Sequence, residues 1–447
     1  MDIEQRLKAV SSRGLIFYLP LVLGVIFMSV MILHYGRNTP YWDQWEMVTL
    51  LQKSSQHTLG IADLWRQHIE HRIFFPTIVQ LVTAHFTHWN IKIELFINMV
   101  FAIVTATLIF LIIKRTIGQN WIGFMAGGLI ALWFFSPIQY ENWLWSWQLV
   151  WFMCIAMGIS AIFLLLKLVD YKNGNYKNVM LILAALSAVV ATYSLATGMF
   201  VWLLGFLILA INKQKKILIS GWTITGVLSI TLYYFHYKPI NSPAGSPIHV
   251  VLKEPLLFIK FILAYLGGPI GSTKDNLQAP VLFGMLILSV LPPLLCVVWI
   301  RRKNLGKYLP WLAIITFALL AAISTSYGRL GYTIQQSLTS RYSAFSLLYI
   351  IGLTGLVFTL LVNTKGLSSS TKKICVFTIL LVSFPLLATS YVIGLRGFQK
   401  RSVFMTELDI CTHQQNPSDI CLNQTYPISK VVRPRLEYLK QKKLAGY

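Results

Sequence analysis

Long apolar stretches recur along the whole chain and limit what it can fold into. A helix that crosses the hydrocarbon core of a membrane needs roughly 20 residues. About eleven stretches meet or approach that length: 15–35, 93–113, 120–136, 149–169, 178–193, 198–212, 216–236, 279–300, 308–325, 343–362 and 373–393. Hydrophobic residues make up 56% of the chain, which is more than a soluble globular domain usually contains. The sequence therefore predicts an all-α polytopic membrane protein.

The first apolar stretch resembles a signal peptide because Arg6, Lys8 and Arg13 precede it. Its length of about 20 residues exceeds the apolar core of an ordinary signal peptide, and no cleavage site of small residues follows it. We therefore expect a retained transmembrane helix.

The formal net charge of +23 invites a nucleic-acid-binding interpretation, which the distribution of the charge excludes. Basic residues occur in small groups between apolar stretches and do not cover one face. Cytoplasmic loops of membrane proteins carry such groups. This pattern predicts a cytoplasmic N-terminus and an extracytoplasmic C-terminus, with these groups inside: Lys114 and Arg115; Lys213, Lys215 and Lys216; 301–303; Lys372 and Lys373.

Acidic residues are distributed in the opposite way. Only Asp2, Glu4 and Asp170 fall in predicted cytoplasmic segments, so 12 of the 15 acidic residues lie at or beyond the outer boundary. The segments large enough to build a site are also on that side. We expect a transmembrane domain, 1–393, that includes the outer loops 36–92, 237–278 and 326–342, and a small extracytoplasmic C-terminal region, 394–447.

The first outer loop opens with WDQWE, in which Asp43 and Glu46 are three residues apart. One helical turn would bring both carboxylates to the same face. A carboxylate at a membrane boundary is poorly solvated and suits a role as a base. Trp42 and Trp45 could stack on a sugar, or they could belong to the aromatic belt of an ordinary membrane interface.

The same loop contains HIEHR, with His68, Glu70, His71 and Arg72. These side chains could contact a hydroxylated substrate, with Arg72 holding a phosphate. Metal binding by the two histidines and Glu70 is the alternative, although their spacing differs from that of established zinc motifs.

A very short outer loop, QYENWLWSWQ, contains Glu141 and Asn142 beside Trp143. Aromatic rings together with hydrogen-bonding side chains suit a carbohydrate ligand. An aromatic belt at the interface explains the tryptophans equally well, but it does not explain Glu141.

Further along the chain, Arg329 and Arg341 flank a polar loop, and Tyr342 follows it at the start of the next apolar stretch. Guanidinium groups here could neutralise the phosphate of a lipid whose tail stays in the bilayer. The alternative is that these arginines extend to ordinary lipid headgroups.

Cys411 and Cys421 are the only cysteines outside the predicted spans. In an oxidising compartment outside the cytoplasm they are expected to form a disulfide. Two free thiols are the alternative.

In architecture and in three motifs the chain resembles the C-type superfamily of integral membrane glycosyltransferases. The architectural resemblance covers nearly the whole length, whereas the residue-level resemblance is confined to WDQWE (42–46), HIEHRIFFP (68–76) and TSRYSAF (339–345). It implies an inverting transfer of a sugar from a polyprenyl-phosphate donor to an extracytoplasmic glycan or protein acceptor. Asp43 matches the catalytic base of the family, and Glu46 matches a second acidic residue of some members.

The resemblance also implies a location in the bacterial inner membrane, with the active site on the extracytoplasmic face. Mg or Mn could assist with the phosphate, although no set of oxygen ligands for a divalent cation is evident in the sequence. The chain lacks the paired adjacent acids of the protein mannosyltransferases and the WWDYG-type motif of the oligosaccharyltransferases, so the acceptor class stays open.

Two other classes of function remain. A transporter or flippase for lipid-linked glycans would place charged groups at the middle of the membrane, whereas here the predicted spans contain few ionisable residues. An O-antigen polymerase or ligase would depend on arginines in the outer loops, and an acyltransferase would use His68 or His71.

Overall fold

The computed structural model describes residues 14–240, 242–271 and 277–447 and is almost entirely helical. Arg6, Lys8 and Arg13, on which the predicted N-terminal orientation depends, lie outside the described residues, as does part of the loop 237–278. The helices are α1 (Leu19–Tyr35), α2 (Trp45–Ser55), α3 (Ile61–Leu64), α4 (Phe74–Thr87), α5 (Ile91–Thr116), α6 (Trp121–Phe134), α7 (Tyr140–Leu144), α8 (Leu149–Asp170), α9 (Gly174–Thr192), α10 (Phe200–Ile211), α11 (Lys216–Tyr234), α12 (Pro247–Lys253), α13 (Pro255–Gly267), α14 (Gln278–Ser289), α15 (Leu291–Ile300), α16 (Leu305–Arg329), α17 (Ser343–Asn363), α18 (Ser369–His413), α19 (Asp419–Thr425) and α20 (Ser429–Lys442).

Within the described ranges, nine helical segments are long and apolar enough to cross a membrane. Each coincides with a predicted span, which confirms the prediction of an all-α polytopic membrane protein. The remaining predicted spans, 15–35 and 198–212, correspond to the shorter apolar helices α1 and α10. At 1.5 Å per residue these two helices are shorter than the hydrocarbon core unless flanking residues extend them.

The helices form a buried centre and an exposed periphery. In α8 and α17 most of the apolar residues are buried against other helices, whereas in α9, the α14–α15 segment and α18 most of them face outward. Because lipid tails solvate apolar side chains, outward-facing apolar residues are expected on the lipid-facing side of a membrane protein. The site described below lies beside the central helices.

Close helix packing positions the short helix α7. A Cβ atom at Gly394 would lie 2.3 Å from the backbone nitrogen of Ile138, and one at Gly397 would lie 2.2 Å from the ring of Tyr140. These glycines allow α18 to approach the 3₁₀ turn Pro137–Gln139 and α7 directly. Glu141, on α7, is held in place as a result.

Residue 393, where we expected the transmembrane domain to end, lies inside an unbroken helix. The 45-residue α18 continues to His413 and then leads to α19 and α20. No break in the helix therefore marks the expected boundary, because the polar sequence after 393 retains helix-forming residues. Cys411 and Cys421 are joined by a disulfide that connects the end of α18 to α19.

Candidate functional site

Four parts of the chain that are distant in sequence meet at a cavity of about 660 Å³. They are residues 41–73 of the first outer loop, the segment from α7 to the start of α8, the turn 195–197 between α9 and α10, and the segment from the end of α16 to the start of α17. The carboxylates and arginines at its walls are Asp43, Glu70, Glu141, Arg329 and Arg341, and His68 and His71 also line it. The cavity therefore brings carboxylates and guanidinium groups to one place.

Asp43 lies in a short 3₁₀ turn, Trp42–Gln44, that runs directly into α2. The backbone of Trp42 has φ = 48°, a left-handed conformation that is uncommon for a bulky residue. The turn leads into the first turn of α2, so Asp43 and Glu46 approach the same neighbour, His68. The expectation that both carboxylates share one face agrees with this geometry.

His68 and His71 lie opposite each other on a short antiparallel hairpin. Its strands are β1 (Gln67–His68) and β2 (His71–Arg72), and Ile69 and Glu70 form the two-residue loop. Ile69 has φ = 49°, as the tight turns that match the twist of a hairpin require. A β-branched residue adopts this conformation at an energetic cost. The hairpin brings the Glu70 side chain to the wall of the cavity.

The His68 ring bridges the two carboxylates of the first motif. Its Nε2 lies 3.7 Å from Asp43 Oδ2, and its Nδ1 lies 3.4 Å from Glu46 Oε2. Burial favours the neutral ring, but the two carboxylates outweigh it and raise the pKa of His68 to about 9. His68 is therefore a cation at neutral pH, and its ring also packs against Trp147 with centroids 5.1 Å apart.

Glu70, His71 and Arg329 form a second group. Arg329 is paired with the Glu70 carboxylate, and His71 Nε2 lies 3.5 Å from Glu70 Oε1. Burial outweighs the attraction of Glu70 and lowers the pKa of His71 to about 4, so this ring is neutral. Its Nδ1 accepts a hydrogen bond from the backbone nitrogen of Ala196 (3.4 Å). The positive charge of Arg329 is thus largely balanced within the protein.

Arg341 is held by its backbone, and its guanidinium group is less engaged. The Arg341 backbone nitrogen donates to Glu141 Oε2 (3.2 Å), and Asn142 Nδ2 donates to the Arg341 carbonyl (3.0 Å). The guanidinium Nη1 lies 3.8 Å from Glu141 Oε2, which is beyond hydrogen-bonding distance. The guanidinium group also lies over the Tyr342 ring. This arrangement leaves the cation available to an anion in the cavity.

The structure does not place Arg72 where a phosphate ligand would need it. Arg72 is 3% exposed, and its guanidinium donates to the backbone carbonyls of Trp65, Tyr233 and Phe235. It joins the hairpin to the end of α11. Three backbone carbonyls occupy the donors of this side chain, so its role here is to hold the hairpin.

Trp45, Trp143 and Asn142 also lie apart from the expected substrate surface. Both tryptophans are fully buried. None of the three side chains is among the residues that line the cavity. Glu46 is likewise outside the wall, paired with Arg66 (3.2 Å). Burial favours its neutral form, but His68 and Arg66 hold the pKa of Glu46 below its ordinary value.

Other aromatic side chains form the walls. Trp145, Trp147 and Trp151 line the cavity together with Trp42 and Tyr342. The motif around Glu141 contains three alternate tryptophans, and its sequence does not show which of them face inward. Trp143 lies on α7, Trp145 has extended backbone at the end of α7, and Trp147 lies in the 3₁₀ turn Ser146–Gln148, so the three side chains do not follow one periodicity.

The C-terminal region packs against the first loop, which sequence reasoning did not anticipate. Arg435 Nη1 donates to the carbonyl of Trp45 (2.9 Å), and the Tyr438 hydroxyl contacts Leu51 and Ser55 on α2. The backbone nitrogen of Ala445 donates to the His88 carbonyl (3.0 Å). The 394–447 segment therefore supports the helix that follows Asp43.

Metal binding by the two histidines and Glu70 was the alternative interpretation of the HIEHR segment. In the described part of the chain, no group of three or more His, Cys, Asp and Glu side chains is arranged to hold a metal ion.

The chain was compared with protein-family models and with curated proteins, and it matches none of them.

Proposed function

We propose that this protein is an inverting membrane glycosyltransferase that uses a polyprenyl-phosphate-linked sugar. The observation that carries the proposal is that Asp43 and Arg341, more than 290 residues apart in sequence, line one cavity with aromatic walls. A carboxylate base, a guanidinium group for a phosphate and flat apolar rings for a sugar are the parts that such a transfer needs.

The proposed reaction involves one displacement at the anomeric carbon of the sugar. The Asp43 carboxylate removes the proton from the acceptor hydroxyl, and the acceptor oxygen forms a new bond to the anomeric carbon. The bond between that carbon and the phosphate oxygen breaks, and its electron pair leaves with the lipid phosphate. Attack opposite the phosphate inverts the anomeric centre.

Arg341 is the side chain proposed to stabilise the departing phosphate. Its guanidinium group borders the cavity and is only loosely paired, and a charge-assisted hydrogen bond to a phosphate strengthens as negative charge develops. Arg329, already paired with Glu70, contributes less. Protonated His68 holds Asp43 on one side and adds positive charge near the reacting groups.

We further propose that the chain crosses the bacterial inner membrane eleven times and that the cavity opens on the extracytoplasmic side. The distribution of basic and acidic residues along the sequence supports this orientation. The acceptor is a glycan or a protein on that side.

The test is the substitution Asp43→Asn, which preserves the size of the side chain and removes the base. Membranes containing the full-length protein are given polyprenyl-phosphate sugars carrying a radiolabel, and transfer to endogenous acceptors is measured. We expect a loss of about 10²–10⁴-fold, as for removal of other general bases. Asp63→Asn is the matched control, because Asp63 lies in the same loop and pairs with Lys53 outside the cavity wall. Near-normal transfer by Asp43→Asn contradicts the proposal.

A further inference from the structure

A chain of buried polar side chains adjoins the turn that carries Asp43. Gln44 Nε2 donates to Ser146 Oγ (2.7 Å), and Ser146 Oγ donates to Glu94 Oε2 (2.5 Å). The other carboxylate oxygen of Glu94 accepts a hydrogen bond from Trp89 Nε1 (3.1 Å). These four residues are at most 3% exposed, so water competes little for their hydrogen bonds.

The hydrogen bonds have a consistent direction. Gln44 Oε1 accepts from the backbone nitrogen of Tyr41 (3.2 Å), and its amide group donates toward Ser146. Both ends of the Gln44 side chain are therefore engaged, and the donors along the chain point toward the Glu94 carboxylate. This connects the 3₁₀ turn of Asp43 to α5 and to the turn that leads into α8.

The turn needs such support because its backbone is strained. The positive φ of Trp42 is unfavourable for an aromatic residue and persists only where surrounding contacts enforce it. Gln44 lies two residues after Trp42, directly after Asp43. A side chain held at both ends here restricts the orientation of Asp43 itself.

We infer that Gln44, Ser146 and Glu94 are positioning residues that hold Asp43 in its reactive orientation. This rests on the proposed function of Asp43 as a base. None of the three side chains is among the residues that line the cavity. They therefore act through the turn and do not touch the substrate. Burying the Glu94 carboxylate with the neutral donors Ser146 and Trp89 destabilises the fold. A role in fixing the turn of Asp43 explains why a carboxylate is present at this position.

The experiment compares Ser146→Ala, Gln44→Leu and the double variant in the purified full-length protein. Ser390→Ala is the matched control, because Ser390 is equally buried and is hydrogen-bonded to Ser136 (2.9 Å) outside the cavity wall. Hydrogen exchange of the amides of residues 41–46 is measured by mass spectrometry, and kcat and KM are measured for sugar transfer. Ser146→Cys, which retains a weak donor of similar size, tests rescue.

We expect exchange in 41–46 to become about tenfold faster in the single variants, as loss of one buried hydrogen bond predicts. We expect kcat to fall about 10- to 100-fold at nearly constant donor KM, because a small displacement of a catalytic group is costly. The double variant should lose no more than the single ones, and Ser146→Cys should lose less than Ser146→Ala.

Unchanged exchange in 41–46, or faster exchange with unchanged kcat, overturns the inference. An equal fall of kcat in Ser390→Ala also overturns it, because the effect would then be a general loss of packing. If the wild-type protein transfers no sugar, the proposed function fails. The exchange of residues 41–46 still decides whether these side chains hold the turn.

Discussion

The two arginines of the cavity should respond differently to loss of their charge. Arg341→Gln removes a guanidinium group whose Nη1 lies 3.8 Å from Glu141 Oε2. Arg329→Gln removes one that is paired directly with Glu70. If Arg341 binds the lipid phosphate, its substitution weakens ligand binding, whereas the substitution of Arg329 mainly disturbs the protein.

The expected magnitudes follow from these environments. A hydrogen bond to a charged group contributes about 1.5–3 kcal/mol, so Arg341→Gln should weaken the binding of a polyprenyl phosphate by about 10- to 150-fold. Arg329→Gln leaves the Glu70 carboxylate without its cation. Because that pair is partly exposed (20% and 31%), we expect a loss of stability of about 1–2 kcal/mol, below the value for a fully buried pair.

The assay measures the dissociation constant of a polyprenyl phosphate for the detergent-purified protein and the thermal midpoint of each variant. Arg115→Gln is the control, since Arg115 forms a comparable partly exposed ion pair with Asp170 (2.9 Å) outside the cavity wall. Adding Glu70→Gln to Arg329→Gln should restore stability. The reasoning is refuted if Arg341→Gln binds the lipid like the wild type, or if Arg115→Gln weakens binding equally.

Three other predictions concern neighbouring features. His68 has a folded-state pKa of about 9, above its unfolded value of about 6.5. Its contribution to stability is therefore complete below pH 6.5 and is lost as the pH rises through about 9. The thermal midpoints of wild type and His68→Gln should differ more at pH 6 than at pH 10. Removing the disulfide by Cys411→Ser with Cys421→Ser opens a loop of sequence separation 10 and should lower stability by about 3 kcal/mol relative to the disulfide-bonded wild type; denaturant unfolding measures this, and the reduced wild type should match the variant. Trp147→Leu removes a ring that lines the cavity and should raise the KM for the sugar donor by about tenfold through lost ring contacts; an unchanged KM contradicts its role as a wall.

Several features of the site could be predicted from local sequence. Charged side chains next to apolar spans are energetically unfavourable, so they are candidates for a functional site. Five residues meet this criterion: Asp43, Glu70, Glu141, Arg329 and Arg341. The structure brings these five to one cavity. Residue type and position made them candidates for a site, although the pairings among them were not predictable.

Other assignments failed because they depend on the direction of a side chain. As an arginine, Arg72 is a residue type that binds phosphate. In the structure, however, it lies against the end of α11, and its guanidinium donates to backbone carbonyls there. Trp143 and Trp147 look equivalent in the motif, but Trp143, on α7, is fully buried, whereas Trp147, in the turn Ser146–Gln148, lines the cavity. No periodicity in the sequence specifies that turn.

The apolar stretches by themselves determined that this chain is a helical membrane protein. The free energy of transferring a segment from water to lipid depends on the residues of that segment. The hydrophobicity summed over about 20 residues therefore predicts a membrane span without knowledge of the rest of the fold. The site was decided by tertiary structure, since His68 becomes a cation only between Asp43 and Glu46, and Arg435 supports Trp45 across 390 residues. Charges and hydrogen bonds act over a few ångströms in space, and separation along the chain does not reveal which groups come that close.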